Sequence, residues 1–205
     1  MRLLLSLAIA LGAAPPARYV ALGDSFTIGT GGPPERSFPA RLAKLWGGTT
    51  LENLGVNGYS TEQVIEEELP ELARFRPSVV TLAIGANDIV RGDDADGYRA
   101  NVRRILGAVL AAGVRPDRIF TLPQPDWSLS PTAALFGDAE ALGRRIRLYN
   151  RILAEESARA GARFVDLFPL MESEAKAGEV ADDGLHPSAA AYAAWADAIA
   201  RAVRP

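Results

Sequence analysis

The sequence has no cysteine and a single histidine, His186. Without cysteine there are no disulfides, thiolate metal sites or cysteine nucleophiles, and the redox compartment is left open. With one imidazole, any histidine chemistry must run through residue 186, and a multi-histidine metal site is ruled out. Basic residues form no stripe: 22 Lys and Arg are scattered among 25 Asp and Glu, for a net charge of -3, so nucleic acid is not an expected partner. No apolar run is long enough to span a bilayer. No polar linker or internal repeat divides the chain. What is present is 205 residues, 48% of them hydrophobic and 23% charged, which is the size and composition of one globular domain with a sizeable core.

The first residues call for exclusion before the fold is read. Met1 and Arg2 are positive, Leu3 to Leu11 form a short apolar run, and Gly12, Ala13 and Ala14 supply small residues. Together they are read as a secretory signal peptide. The expectation is a leader over residues 1–17 and a catalytic domain over 18–205, exported to the periplasm or outside the cell if the leader is cleaved and cytoplasmic otherwise.

From Arg18 onward, short apolar runs alternate with longer segments of helical period, the pattern of an α/β domain with a mainly parallel sheet. Five strands are expected, at 19–22, 50–54, 79–84, 119–122 and 163–167. Helices are marked by apolar residues three and four apart: Tyr98, Val102, Ile105 and Val109; Leu142, Ile146, Tyr149, Ile152 and Leu153; Tyr192, Trp195, Ile199 and Val203. Gly47, Gly113 and Gly161 stand where left-handed helix stops are wanted, and Ser60-Thr61-Glu62-Gln63 reads as a capping box. The expected architecture is a three-layer α/β/α sandwich around a flavodoxin-like, five-stranded parallel sheet of order 2-1-3-4-5.

Ligands of such a sheet bind beyond the carboxyl ends of its strands. Four segments there carry chemistry: Gly23-Asp24-Ser25-Phe26-Thr27, Asn57-Gly58-Tyr59, Gly85-Ala86-Asn87-Asp88 and Asp182-Asp183-Gly184-Leu185-His186-Pro187. A serine hydroxyl is a poor nucleophile until a base takes its proton during attack, and His186 can be that base. A carboxylate three residues before the imidazole, Asp183, is placed to fix its tautomer; Asp182 competes, and spacing favours Asp183. Attack on an ester carbonyl makes an oxyanion, for which the Ser25 and Gly58 N–H groups and the Asn87 amide are candidate donors. Asp24 and Asp88 are read as structural acceptors for loop backbone.

These four blocks, in this order, resemble the SGNH hydrolases, also called the GDSL esterase and lipase family. Gly23-Asp24-Ser25 matches the first block, Gly58 the second, Gly85-Ala86-Asn87-Asp88 the third and Asp183-Gly184-Leu185-His186 the last. The resemblance implies a flavodoxin-like fold, serine-dependent hydrolysis of esters or thioesters, Ser25, Asp183 and His186 as triad, Ser25, Gly58 and Asn87 as oxyanion hole, and no cofactor or metal. The sequence departs from the pattern at Phe26, where the family has leucine, and in the second block, where Gly55 lies in the same loop as Gly58.

Other motifs fail on their context. Ser173-Glu174-Ala175-Lys176 lacks the companion elements of penicillin-binding enzymes, and Gly23 to Gly32 has neither a P-loop lysine nor dinucleotide spacing. The stretch 123–137 is long and apolar for a connection, and its Trp127 and Phe136, with Ile89 and Val90, are expected to wall an acyl pocket. The expected activity is that of a serine esterase acting through an acyl-enzyme on small acyl esters, acylated sugars or lysophospholipids. The expected partner is therefore a small-molecule or lipid ester, with no integral membrane span. Acyl transfer by the same triad, or a flavodoxin-like module that binds without catalysing, are the alternatives. The sequence sets no oligomeric state.

Overall fold

In the computed structural model, which describes residues 17–47 and 49–204, five parallel strands run in the order 2-1-3-4-5. The expected leader falls outside the described residues except for Ala17. In chain order, β1 (Arg18–Gly23) leads through a single helical turn, α1 (Ser25–Ile28), to α2 (Phe38–Leu45) and β2 (Thr50–Asn53). Then α3 (Thr61–Gln63) continues through a π turn (Val64–Glu68) and a 3-10 turn (Leu69–Glu71) into α4 (Leu72–Phe75). The rest is β3 (Val79–Ala83), α5 (Ala86–Arg91), α6 (Ala95–Ala111), β4 (Ile119–Thr121), α7 (Ala139–Ala160), β5 (Arg163–Phe164), α8 (Phe168–Lys176) and α9 (Ala189–Ala202).

The central strands are apolar on both faces because helices cover both. All five residues of β3 are buried, as are five of the six in β1. One layer packs α2 against α9, the other α6 against α7. Between α6 and α7, buried Glu156 accepts from Arg99 and Arg103 at 3.1 and 3.0 Å. Each fully buried Leu, Ile or Phe contributes roughly 1.5–3 kcal/mol, and Leu22, Leu82, Ile84, Ile105 and Phe120 are all under 2% exposed. Within the sheet, Tyr19 and Thr81 satisfy each other at 2.7 Å, so the core keeps two hydroxyls without leaving either unpaired.

The expected punctuation holds in the backbone. Gly47, Gly113 and Gly161 all have positive φ, and Ser60 with Gln63 forms the capping box. The fifth strand is shorter than expected. After one more ladder bond, from Val165 N–H to Thr121, Asp166 accepts from Phe168 N–H and turns the chain into α8. A local side-chain acceptor thereby ends the strand before Leu167. No helix among the described residues is long and apolar enough to cross a membrane.

The chain leaves β1 toward β2 on one side and later returns to β3 on the other. Strand order therefore reverses between β1 and β3, the place where an open parallel sheet offers a crevice. Ser25 follows β1 directly and Asn87 follows β3 by four residues.

Candidate active site

Ser25 stands on a very short helix held at both ends. Asp24 caps its start, its Oδ1 accepting from Phe26 N–H at 3.0 Å, and Gly29 closes it in the left-handed conformation, donating back to the Ser25 carbonyl. The bend out of β1 requires glycine at 23: φ is 148°, and a Cβ there would sit 2.1 Å from the Ala83 carbonyl oxygen. This turn presents the Ser25 hydroxyl at the strand mouth.

The imidazole arrives from the loop between α8 and α9. Asp183 Oδ1 accepts from the Leu185 and His186 N–H groups, both at 2.9 Å, and so folds the loop around its own side chain. Its Oδ2 lies 2.7 Å from His186 Nδ1, and His186 Nε2 lies 2.8 Å from Ser25 Oγ. An ionised carboxylate can only accept, so Nδ1 carries the proton and Nε2 is left to accept from the serine. Burial raises the Asp183 carboxyl, but the His186 and Leu185 N–H groups and the imidazole outweigh it and hold the acid below its ordinary range. Asp182 is exposed and makes no such contact. The loop is anchored by the bond from Ala181 N–H to the His186 carbonyl at 2.7 Å and by Thr132, which donates twice to the Gly184 carbonyl.

Three residues with candidate donors, Ser25, Gly58 and Asn87, line one cleft. The Ser25 and Gly58 N–H groups donate to no described residue. The first is one of the free donors at a helix start. Asn87 gives one amide hydrogen to the Tyr59 carbonyl at 2.9 Å, which orients the group and leaves its second hydrogen for the cleft. Gly58, with φ of 82°, lines that cleft. Gly55 does not: it packs on Thr27 and its N–H is held by Asn53 Oδ1 at 3.1 Å. A residue not foreseen is Arg91, which donates to the Gly58 carbonyl at 3.0 Å and to Gln63 at 2.7 Å, tying the loop to α5. Its signal in the sequence was its place four residues after Asn87, on the same face of a helix.

The cleft holds about 690 Å³ of space, part of it open to solvent. Phe26, Ala86, Val90, Trp127, Phe136 and Leu185 supply apolar wall, and Thr30 and Asn57, bonded to each other, a polar edge. The Trp127 and Phe136 rings meet edge to face at 5.6 Å. Ile89 is a correction: it is 1% exposed and part of the core, because its position on α5 points inward while the neighbouring Val90 is 48% exposed at the cleft. Asp24 and Asp88 serve backbone, as expected, Asp88 accepting from Thr61 N–H at 3.2 and 3.1 Å.

Chemically, the arrangement joins a hydroxyl, a base held in one tautomer by a charged acid, and donors near where a carbonyl oxygen would sit, which are the parts needed for acyl transfer. Comparison with known proteins agrees with that chemistry. Residues 21–194 match the model of the GDSL-like lipase/acylhydrolase family. The chain is similar to the thioesterase 1/protease 1/lysophospholipase L1 of Escherichia coli K12, 27% identical over 188 residues that cover 90% of this chain and 82% of that protein. Its fold is similar to a lipolytic G-D-S-L protein from Veillonella parvula (TM-score 0.74, 19% identity, 90% and 96% of the two chains). It is likewise similar to an acetylxylan esterase from Geobacillus stearothermophilus (TM-score 0.71, 20% identity, 90% and 93%). The chain belongs to the GDSL-like lipase/acylhydrolase family and is an ester hydrolase of that family.

Proposed function

We propose that this chain is a serine esterase in which Ser25 attacks a carboxylic ester and forms an acyl-enzyme. His186 Nε2 takes the serine proton during attack and returns it to the departing alcohol, then repeats the cycle with water. Asp183 holds the imidazole and stabilises it once charged. The Ser25 and Gly58 N–H groups and the Asn87 amide receive the oxyanion. The observation that carries this reading is the continuous relay from Asp183 Oδ2 through the imidazole to Ser25 Oγ, with links of 2.7 and 2.8 Å opening on the cleft.

The apolar wall of Val90, Trp127, Phe136 and Leu185 suits an acyl group of short to medium length, and the Thr30–Asn57 edge suits a polar alcohol. Small acyl esters, acylated sugars and lysophospholipids all have that two-part character. The E. coli relative is named for thioester and lysophospholipid cleavage, and the Geobacillus neighbour for acetylxylan. The leader read over residues 1–17 adds export to the proposal, checked by sequencing the N-terminus of the protein recovered from expressing cells.

The test is hydrolysis of p-nitrophenyl esters from acetate to laurate, with lysophosphatidylcholine and an acetylated xylooligosaccharide alongside. Covalent labelling by a fluorophosphonate is followed in parallel. Activity and labelling are both expected to vanish in Ser25→Ala; labelling that survives moves the nucleophile elsewhere.

A further inference from the structure

Of three consecutive glutamates in the segment after α3, Glu66 and Glu67 are exposed and Glu68 is 2% exposed. Glu68 ends a π turn over Val64–Glu68 and shares its buried side with Val64 and Ile65; such turns recur at functional sites. There Glu68 Oε2 accepts from Gly23 N–H at 2.9 Å. β2 has ended at Asn53, opposite Ala21, so the Gly23 N–H lies beyond that strand and finds the glutamate instead. The Gly23 carbonyl accepts from Val56 N–H at 3.2 Å, in the loop that continues to Gly58. One glycine, two residues before Ser25, thus links Glu68 through its N–H to the Gly58 loop through its carbonyl.

Burying a carboxyl without a cation costs stability. The charged groups acting on Glu68 and its neighbours are all acids: Asp24 on Glu68, Asp88 on Asp24 and Asp93 on Asp88. Tyr98 of α6, close to Asp24 and Asp88, gives its hydroxyl hydrogen to the Ile84 carbonyl. Glu68 Oε1 and Asp24 Oδ2 are buried without a partner among the described residues. Such local costs, set against the fold's own interest, concentrate where function needs them.

We propose that Glu68 is a positioning residue for the nucleophile: by holding the Gly23 N–H it fixes the peptide from which Ser25 and its oxyanion-binding N–H depart, and keeps the Gly58 loop in register with them. This rests on Ser25 being the nucleophile. The role needs reach and an acceptor, not a negative charge.

The experiment compares Glu68→Gln with Glu68→Asp, each checked by thermal melting, and reads kcat and KM on p-nitrophenyl acetate and the rate of fluorophosphonate labelling. Gln keeps the acceptor at its present reach; Asp withdraws it by one methylene. Misplacing a reacting group by about 1 Å is worth up to ~10²-fold in rate, so Glu68→Asp is expected to lower kcat and labelling by ~10-fold or more, with KM little changed. Glu68→Gln is expected to stay close to the starting enzyme in all three. Equal kcat in Glu68→Asp and the starting enzyme, or a loss in Glu68→Gln as large as in Glu68→Asp, overturns the proposal. Glu68→Met, which has the length but no comparable acceptor, takes the place of Glu68→Asp if the latter melts below the assay temperature. Ser25→Ala in the same assay separates the two readings: activity that survives it removes the nucleophile, whereas a Ser25-dependent activity indifferent to Glu68 removes only this role.

Discussion

Two sets of carboxyl groups flank Ser25, and they are treated in opposite ways. Asp183 has a side chain 40% exposed, is surrounded by three donors, and is held below the ordinary range of its acid. Asp24 and Glu68 are buried with one acceptor contact each and, among the described residues, one oxygen each without a partner; burial pushes them up to about 8 and about 9. Asp88, also buried, is raised for the same reason. The same functional group thus does two jobs. Where an imidazole must be steered and its positive charge balanced, the acid is kept ionised by donors near water. Where backbone must be held still, at Asp24 and Glu68, burial favours the neutral acid, which accepts without a charge.

If that division is right, the largest effect comes from neutralising the charged acid. Asp183→Asn keeps the shape but can turn a donor toward Nδ1, which favours the wrong tautomer; kcat is expected to fall by ~10³–10⁴-fold, as at the corresponding position of serine proteases. The melting temperature should change little, because the group is half in solvent. A loss of only a few-fold would mean the imidazole needs no charged partner, and the contrast with the buried acids would lose its functional side.

Asn87 and Asp88 bring the division down to adjacent residues of α5. Asn87 faces the cleft and Asp88 the interior. Asn87→Ala is expected to lower kcat by ~10²–10³-fold with normal melting. Asp88→Ala strands the Thr61 N–H and hydroxyl, and is expected to cost about 1–3 kcal/mol of stability, read by denaturant unfolding. Its kcat, measured well below the melting temperature, should change far less than that of Asn87→Ala. Similar kinetic losses in both would erase the distinction.

What could be read from the amino acids alone follows the same line. Ser25 and Asn87 announce themselves because they follow apolar strands closely, and Asp183 and His186 because an acid and the lone imidazole stand three residues apart before the last helix. The parallel sheet follows from alternating runs, and Trp127 and Phe136 stand out as apolar residues in a connection. Ile89 and Val90 are indistinguishable in composition, and only the rotation of α5 sends one inward and the other to the cleft. Glu68 is masked by its neighbours: three glutamates in a row suggest a wet helix face, although the third stands four and three residues after buried Val64 and Ile65, on their side. The early end of β5 was equally local, decided by one carboxyl bond from Asp166 to Phe168.

The smallest expected effect tests the buried side by itself, without catalysis. An acid whose folded-state value lies above its unfolded value binds its proton more tightly when folded. Its contribution to stability is fully present below the unfolded value of about 4 and is lost as pH rises through the folded value. For Asp24 and Glu68 that window runs from roughly pH 4 to about 8 and about 9. Asp24→Asn keeps an oxygen to accept from Phe26 N–H, since asparagine caps helices as well as aspartate does, but has no proton to lose. Its melting temperature should therefore decline less steeply between pH 5 and pH 9 than that of the starting protein, the two curves diverging on the alkaline side. Parallel curves would show that Asp24 carries the same charge folded and unfolded, and that burial beside Ser25 does not neutralise it.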